Sequence, residues 1–111
     1  MAVGARTAKK LSQGALSSTL AAQVTGAADT LTQVTGIYLA NTNTTTTRYV
    51  TLTAYGTATA NTLVFKMELT ANASVIINDP IILTAAQVLY AKQDTGTDVV
   101  MTTFGIEEAL T

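Results

Sequence analysis

From Leu20 onward, hydrophobic and polar positions alternate with a period of two, the spacing that sends successive side chains to opposite faces of a half-buried strand. Leu31–Asn41, rich in Thr, Val, Ile and Tyr, reads as one strand. Arg48–Thr53 reads as a second, with Val50 and Leu52 on one face and Tyr49, Thr51 and Thr53 on the other. Leu63, Phe65, Met67 and Leu69 alternate with Val64, Lys66 and Glu68 and predict the most regular in–out strand of the chain. Val75–Ile77 and Ile81–Leu83 are short strands. Gln87–Lys92 carries Val88 and Tyr90 on one face, and Val99–Ile106 closes the series.

Turn chemistry separates these runs. Asn41–Thr47 is a polar connection, Gly56–Asn61 a turn of small residues, and Thr70–Ser74 another turn. Asn78-Asp79-Pro80 holds the only proline. Asp94-Thr-Gly-Thr-Asp98 reads as a hairpin connection in which Gly96 supplies a positive φ. Seven or eight short strands, spaced by about ten residues, predict an all-β fold. The expected architecture is an antiparallel β-sandwich of jelly-roll or immunoglobulin-like type with an N-terminal arm. Few charges or prolines mark the strands, so open sheet edges covered by neighbours are expected.

Residues 1–20 differ from the rest. They hold three of the six basic residues and no acid, set among Ala, Gly and Ser. The expectation is an arm over 1–20, extended or a short helix, docking on a neighbour, followed by the sandwich over 21–111. The partner-binding residues expected in the arm are Arg6, Lys9, Lys10, Leu11, Leu16 and Leu20. Three basic side chains suit an acidic groove on a partner protein better than nucleic acid, where three charges give a weak electrostatic term.

Composition sharpens this picture. Only 12% of residues are charged, against about 25% in an ordinary soluble domain, and Thr, Ala and β-branched aliphatics take their place. Such a surface repels a partner weakly. The net charge of −1 creates no global field, so neither a specific nucleic acid nor a membrane is expected as partner. No run approaches the roughly 18 apolar residues that span a bilayer, and Leu11–Ala22 lacks the continuous apolar core of a signal peptide.

Chemistry is poorly supplied. Without His or Cys the chain offers no Ser–His–Asp or Cys–His arrangement, no disulfide and no thiolate metal site. Lys9 or Lys10 beside Ser12 falls in the arm, where solvation or docking is the better reading. Glu68, Asp79, Asp94, Asp98, Glu107 and Glu108 provide carboxylates, but two Phe and four Tyr make a thin platform for sugars. Asp94-x-Gly-x-Asp98 has the oxygens and the glycine of a Ca²⁺ loop, yet lacks the further acids of an EF-hand and reads first as a turn. Asn43 and Asn72 head sequons of the kind that Thr-rich sequence produces by chance. The aromatic residues on strands read as core packing or interface anchors. No enzyme activity and no cofactor is expected.

The stretches Gly36-Ile-Tyr-Leu-Ala-Asn-Thr42, Met67-Glu-Leu-Thr-Ala-Asn-Ala-Ser-Val75, Asp79-Pro-Ile-Ile-Leu83, Val88-Leu-Tyr-Ala-Lys92 and Phe104-Gly-Ile-Glu107 carry a resemblance. In pattern, Leu20 to Glu108 resembles small β-sandwich structural proteins of tailed-bacteriophage virions. The chain departs from that pattern in lacking a longer Pro–Gly connection between Leu31 and Gly36 and a glycine near Ala85–Ala86. The resemblance implies a virion protein assembled in the host cytoplasm, foremost a capsid decoration or cement protein. The alternative is a neck, tail or fibre accessory, or a receptor- or carbohydrate-binding module using loops 41–47 and 93–97. The implied partners are the major capsid protein or a neck or tail protein. Self-association as a homotrimer or ring is expected from the prevalence of closed symmetry.

Overall fold

A computed structural model describes residues 6–110. Nine strands form two antiparallel sheets: β1 (Arg6–Ala15), β2 (Ala21–Thr25), β3 (Thr30–Asn41), β4 (Arg48–Ala54), β5 (Thr62–Leu69), β6 (Ser74–Ile77), β7 (Ile81–Leu83), β8 (Val88–Gln93) and β9 (Val99–Ala109). One sheet runs β1-β9-β3-β6, with β7 also pairing β3; the other runs β2-β8-β4-β5. The two stack as a sandwich, as the alternation predicts. The strand read over 31–41 is β3, that over 48–53 is β4, and Ile81–Leu83 is β7 to the residue. The pattern did not single out β1 or β2.

The inner faces meet in an aliphatic core. Val34, Ile37, Leu39, Val99 and Met101 come from the first sheet, and Val50, Leu52, Leu89 and Ala91 from the second. No aromatic side chain is fully buried among the described residues. Tyr38, Tyr49, Tyr55, Phe65 and Phe104 are exposed and Tyr90 is half-buried. Core packing, one of the roles expected for the aromatics, is not borne out.

Three expectations need correction. Asp94–Asp98 does not close a hairpin. It carries the chain from β8 in one sheet to β9 in the other, although Gly96 does take φ +76° as expected. A left-handed residue fits this sharp crossing as well as it fits a hairpin turn, so sequence alone does not separate the two.

The second correction concerns β5. Val50 pairs with Met67, Leu52 with Val64 and Thr53 with Thr62, so β5 carries extra residues around Phe65–Lys66 and at Leu63. Lys66 takes φ +50°, and its N–H bonds to Thr51 Oγ1 at 3.2 Å. A bulge reverses which alternate side chains face inward. Val64 and Met67 therefore pack against the core, while Leu63 (48% exposed) and Phe65 (67% exposed) face solvent.

The third concerns sheet edges, which are blunted by geometry as well as by the charges of β1 (Arg6, Lys9, Lys10) and β5 (Lys66, Glu68). Register shifts interrupt β1 at Leu11, β2 at Gln23 and β5 as described. The fourth edge is cut into two short strands, β6 and β7, around Asn78–Pro80. Bulges and short strands disfavour edge-to-edge pairing as charges do.

One buried amide joins two of the places where the chain changes sheets. Gln93 is fully buried. Its Nε2 donates to the Leu16 carbonyl, its Oε1 accepts from Val99 N–H at 3.3 Å, and its own N–H donates to the Ser17 carbonyl at 2.9 Å. Leu16 N–H donates in turn to the Val99 carbonyl at 2.8 Å. The β1–β2 and β8–β9 crossings are thus stitched together at one end of the sandwich. Replacing Gln93 by Leu leaves a buried carbonyl and a buried N–H without partners. At about 1–3 kcal/mol each, the Gln93→Leu variant should lose about 2–6 kcal/mol in urea unfolding at neutral pH, whereas Gln13→Leu on exposed β1 should change stability by less than about 0.5 kcal/mol.

Candidate assembly surfaces

The expected partner-binding residues separate into two groups. Leu16 is fully buried in the chain's own core and Leu11 packs against that core, so neither offers free surface; Leu20 is half-buried. Their apolar character reads equally as docking or as core, and here the core takes Leu11 and Leu16. Arg6, Lys9 and Lys10 are exposed on β1. Arg6 pairs with Glu108 at 3.4 Å and Lys9 with Glu107 at 2.8 Å, both across the β1–β9 ladder. Lys10 Nζ donates to Gln13 Oε1 at 3.1 Å and makes no ion pair among the described residues. The helical alternative for the arm does not hold over Arg6–Ala15, which is a strand paired with β9 of the same chain.

An apolar surface that the alternation did not reveal lies on the outer face of the β1-containing sheet. Val99, Met101, Thr103 and Gly105 are buried along β9, so Phe104 and Ile106 face away from the core. Phe104 opposes Lys10 and Ile106 opposes Ala8 on β1. Tyr38 of β3 meets Phe104 edge-to-face, with ring centroids 5.4 Å apart and planes at 84°. Ile76 of β6 opposes Tyr38, extending exposed apolar surface across the sheet. A bulge at Thr35 interrupts the β3–β9 ladder beside Phe104. There Ala8, Lys9, Lys10, Thr35, Phe104, Gly105 and Ile106 line a shallow pocket of about 500 Å³. The sequence signal for this face was apolar residues on both sides of one strand, Val99–Ile106, which an antiparallel strand with one wet face does not need.

The loops proposed for receptor contact, 41–47 and 93–97, lie together at the Gln93 end. Asn41 is buried, and its Nδ2 donates to the carbonyls of Thr46 and Leu69 at 2.9 Å each. Asn43 Oδ1 accepts from the N–H groups of Thr45 and Thr46, both at 2.9 Å, which folds the Thr-rich run into a tight turn. Asn43 Nδ2 donates to Asp98 Oδ2 at 3.1 Å. Arg48 donates to that same oxygen through Nε at 2.8 Å and Nη2 at 2.6 Å, and through Nη1 to Thr95 Oγ1 at 2.6 Å.

Asp94 and Asp98 serve this architecture separately. Asp94 Oδ1 accepts from Tyr49 N–H at 3.1 Å, while Asp98 is held by Asn43 and Arg48. No group of three or more metal-ligating acids occurs among the described residues. The resulting device is a clamp between loops, with the Asp98 carboxylate as its pivot.

The hydrogen bond from Asn43, then those from Arg48, hold the Asp98 carboxyl below its ordinary value of 3.8. A depressed carboxylate pKa contributes stability that is present above the unfolded value and lost as pH falls through the folded one. Asp98→Asn should therefore be less stable than the parent at neutral pH, and the gap should close as pH falls below about 3.8. Urea unfolding midpoints of both proteins between pH 7 and pH 2 measure this; a gap independent of pH would remove the carboxylate from the account.

No family model matches the chain, and no curated protein matches it by sequence. Among solved structures, a chain in the acidic stable capsid structure of Helicobacter pylori bacteriophage KHP30 has the same fold, with a TM-score of 0.60 and 12% identity. The match covers 99% of this chain and 92% of that one, so it takes in both sheets and their connections.

Proposed function

We propose that the chain is a non-enzymatic structural protein of a bacteriophage virion, foremost a capsid decoration or cement protein. One observation carries the reading: the fold matches a chain in a phage capsid structure over nearly the whole length of both. The surface supports it. Apolar and aromatic side chains that a free domain would bury stand on outer faces, and few charges surround them. Such a protein stabilises a shell by bridging its subunits. Apolar burial supplies the free energy, at about 25 cal/mol per Å² before the costs of association. The outer sheet face around Tyr38 and Ile76 is the surface through which it meets the major capsid protein.

The joined loops support a second reading. The Asn43–Asp98–Arg48 clamp fixes 41–47 against 93–97 at one end, as a recognition tip on a neck, tail or fibre protein requires. Phage particles assembled without this chain separate the two. A decoration protein added back should bind saturably, in copy number matched to the capsid lattice, and should raise the temperature at which particles release DNA. Binding at a single vertex, or glycan binding abolished by Thr45→Ala, would favour the second reading. Absence of binding to any part of the particle would overturn both.

A further inference from the structure

The bulges in β5 set a side chain where the fold itself has no use for it. A regular strand with the alternation Leu63, Phe65, Met67, Leu69 buries all four residues on one face. Here Lys66 adopts a left-handed backbone, strained for a residue with a Cβ, and Leu63 and Phe65 are turned into solvent. Phe65 is the most exposed large apolar side chain described. Lys66 Nζ stands 5.2 Å from the centre of its ring and covers one side of it. Bulges that re-aim a side chain cluster where proteins act on other molecules.

At the opposite lateral edge lies a recess for such a knob. The sheet orders put β1 at one margin of the sandwich and β5 at the other, since β1 leads directly into β2 and β5 is the strand farthest from β2. The shallow pocket beside β1 presents apolar surface from Ala8, Phe104 and Ile106 on which an aromatic ring can lie. The charges also match. Glu68, exposed three residues after Phe65, makes no ion pair or side-chain hydrogen bond among the described residues. Lys10 at the pocket rim is likewise without a carboxylate, while Lys9 is already neutralised by Glu107.

We infer that a second copy of this chain seats Phe65 and Leu63 of its β5 in the β1–β9 pocket of the first, with Glu68 reaching Lys10. The contact is heterologous, with knob and pocket on opposite margins. Successive copies overlap like roof tiles and close into a ring where the rotation between them divides a full turn. Edge-strand pairing between copies is not needed, in keeping with the bulges along β1 and β5. The inference deepens the reading of the chain as an assembly protein, but its test needs no virus particle.

Sedimentation equilibrium of the full chain at neutral pH and moderate salt should show concentration-dependent self-association. Phe65→Ser should weaken it at least about tenfold, as expected for an aromatic anchor. Lys10→Glu and Glu68→Lys should each weaken it, and the double variant Lys10→Glu/Glu68→Lys should regain association that the single variants lose. All three positions are exposed, and circular dichroism verifies that each variant keeps its fold. A strictly monomeric parent would overturn the inference. So would failure of the reversed pair to recover, or association insensitive to Phe65→Ser but abolished by Phe104→Ser, which would describe two β1-bearing faces packed on each other. Particle binding by the Phe65→Ser variant keeps the two proposals apart: a variant that binds particles as a monomer leaves the virion role standing while the knob contact is lost.

Discussion

The sandwich depends on holding together two places where the chain leaves one sheet for the other. The Gln93 amide does this from inside the core, receiving the turn after β1 and the start of β9 on one side chain. Hydrophobic burial pulls the sheets together without fixing how they are joined, because it is proportional to area and has no direction. A buried amide supplies direction, since a partner lost in a dry interior is costly. With the crossings fixed, β9 lies between β1 and β3, and both exposed apolar surfaces take their places relative to it.

Much of this architecture was legible in the sequence. Strand positions followed from period-two runs and from turn residues, and β7 begins directly after Asn78-Asp79-Pro80, as that turn signal predicts. Sheet membership was less legible. Asp94–Asp98 has hairpin composition, yet it crosses between sheets, because a tight polar turn with one left-handed glycine serves either path. The bulges left no composition signal. Lys66 in a left-handed conformation is unremarkable as a letter, but it decides that Phe65 faces water.

The surface was legible in kind and not in place. Scarce charge predicted a weakly repelling surface, and the exposed aromatic and aliphatic side chains show where its apolar parts lie. Leu16 shows why the arm was harder to read: a leucine among small and basic residues gives no indication whether its burial partner is its own chain or a neighbour. The loop clamp was hidden for a related reason. Asn43 and Asp98 lie on two connections distant in sequence, with Arg48 at the start of β4, and only the crossing of β8 to β9 brings them together.

The absence of fully buried aromatic side chains among the described residues has an optical consequence. The chain has no tryptophan, and its tyrosines are at or near the surface. Ultraviolet absorbance and emission from this protein are therefore weak reporters of whether the core is intact and direct reporters of what the outer faces touch. Tyr38, against Phe104 on the open face, is the chromophore best placed to register a neighbour's arrival.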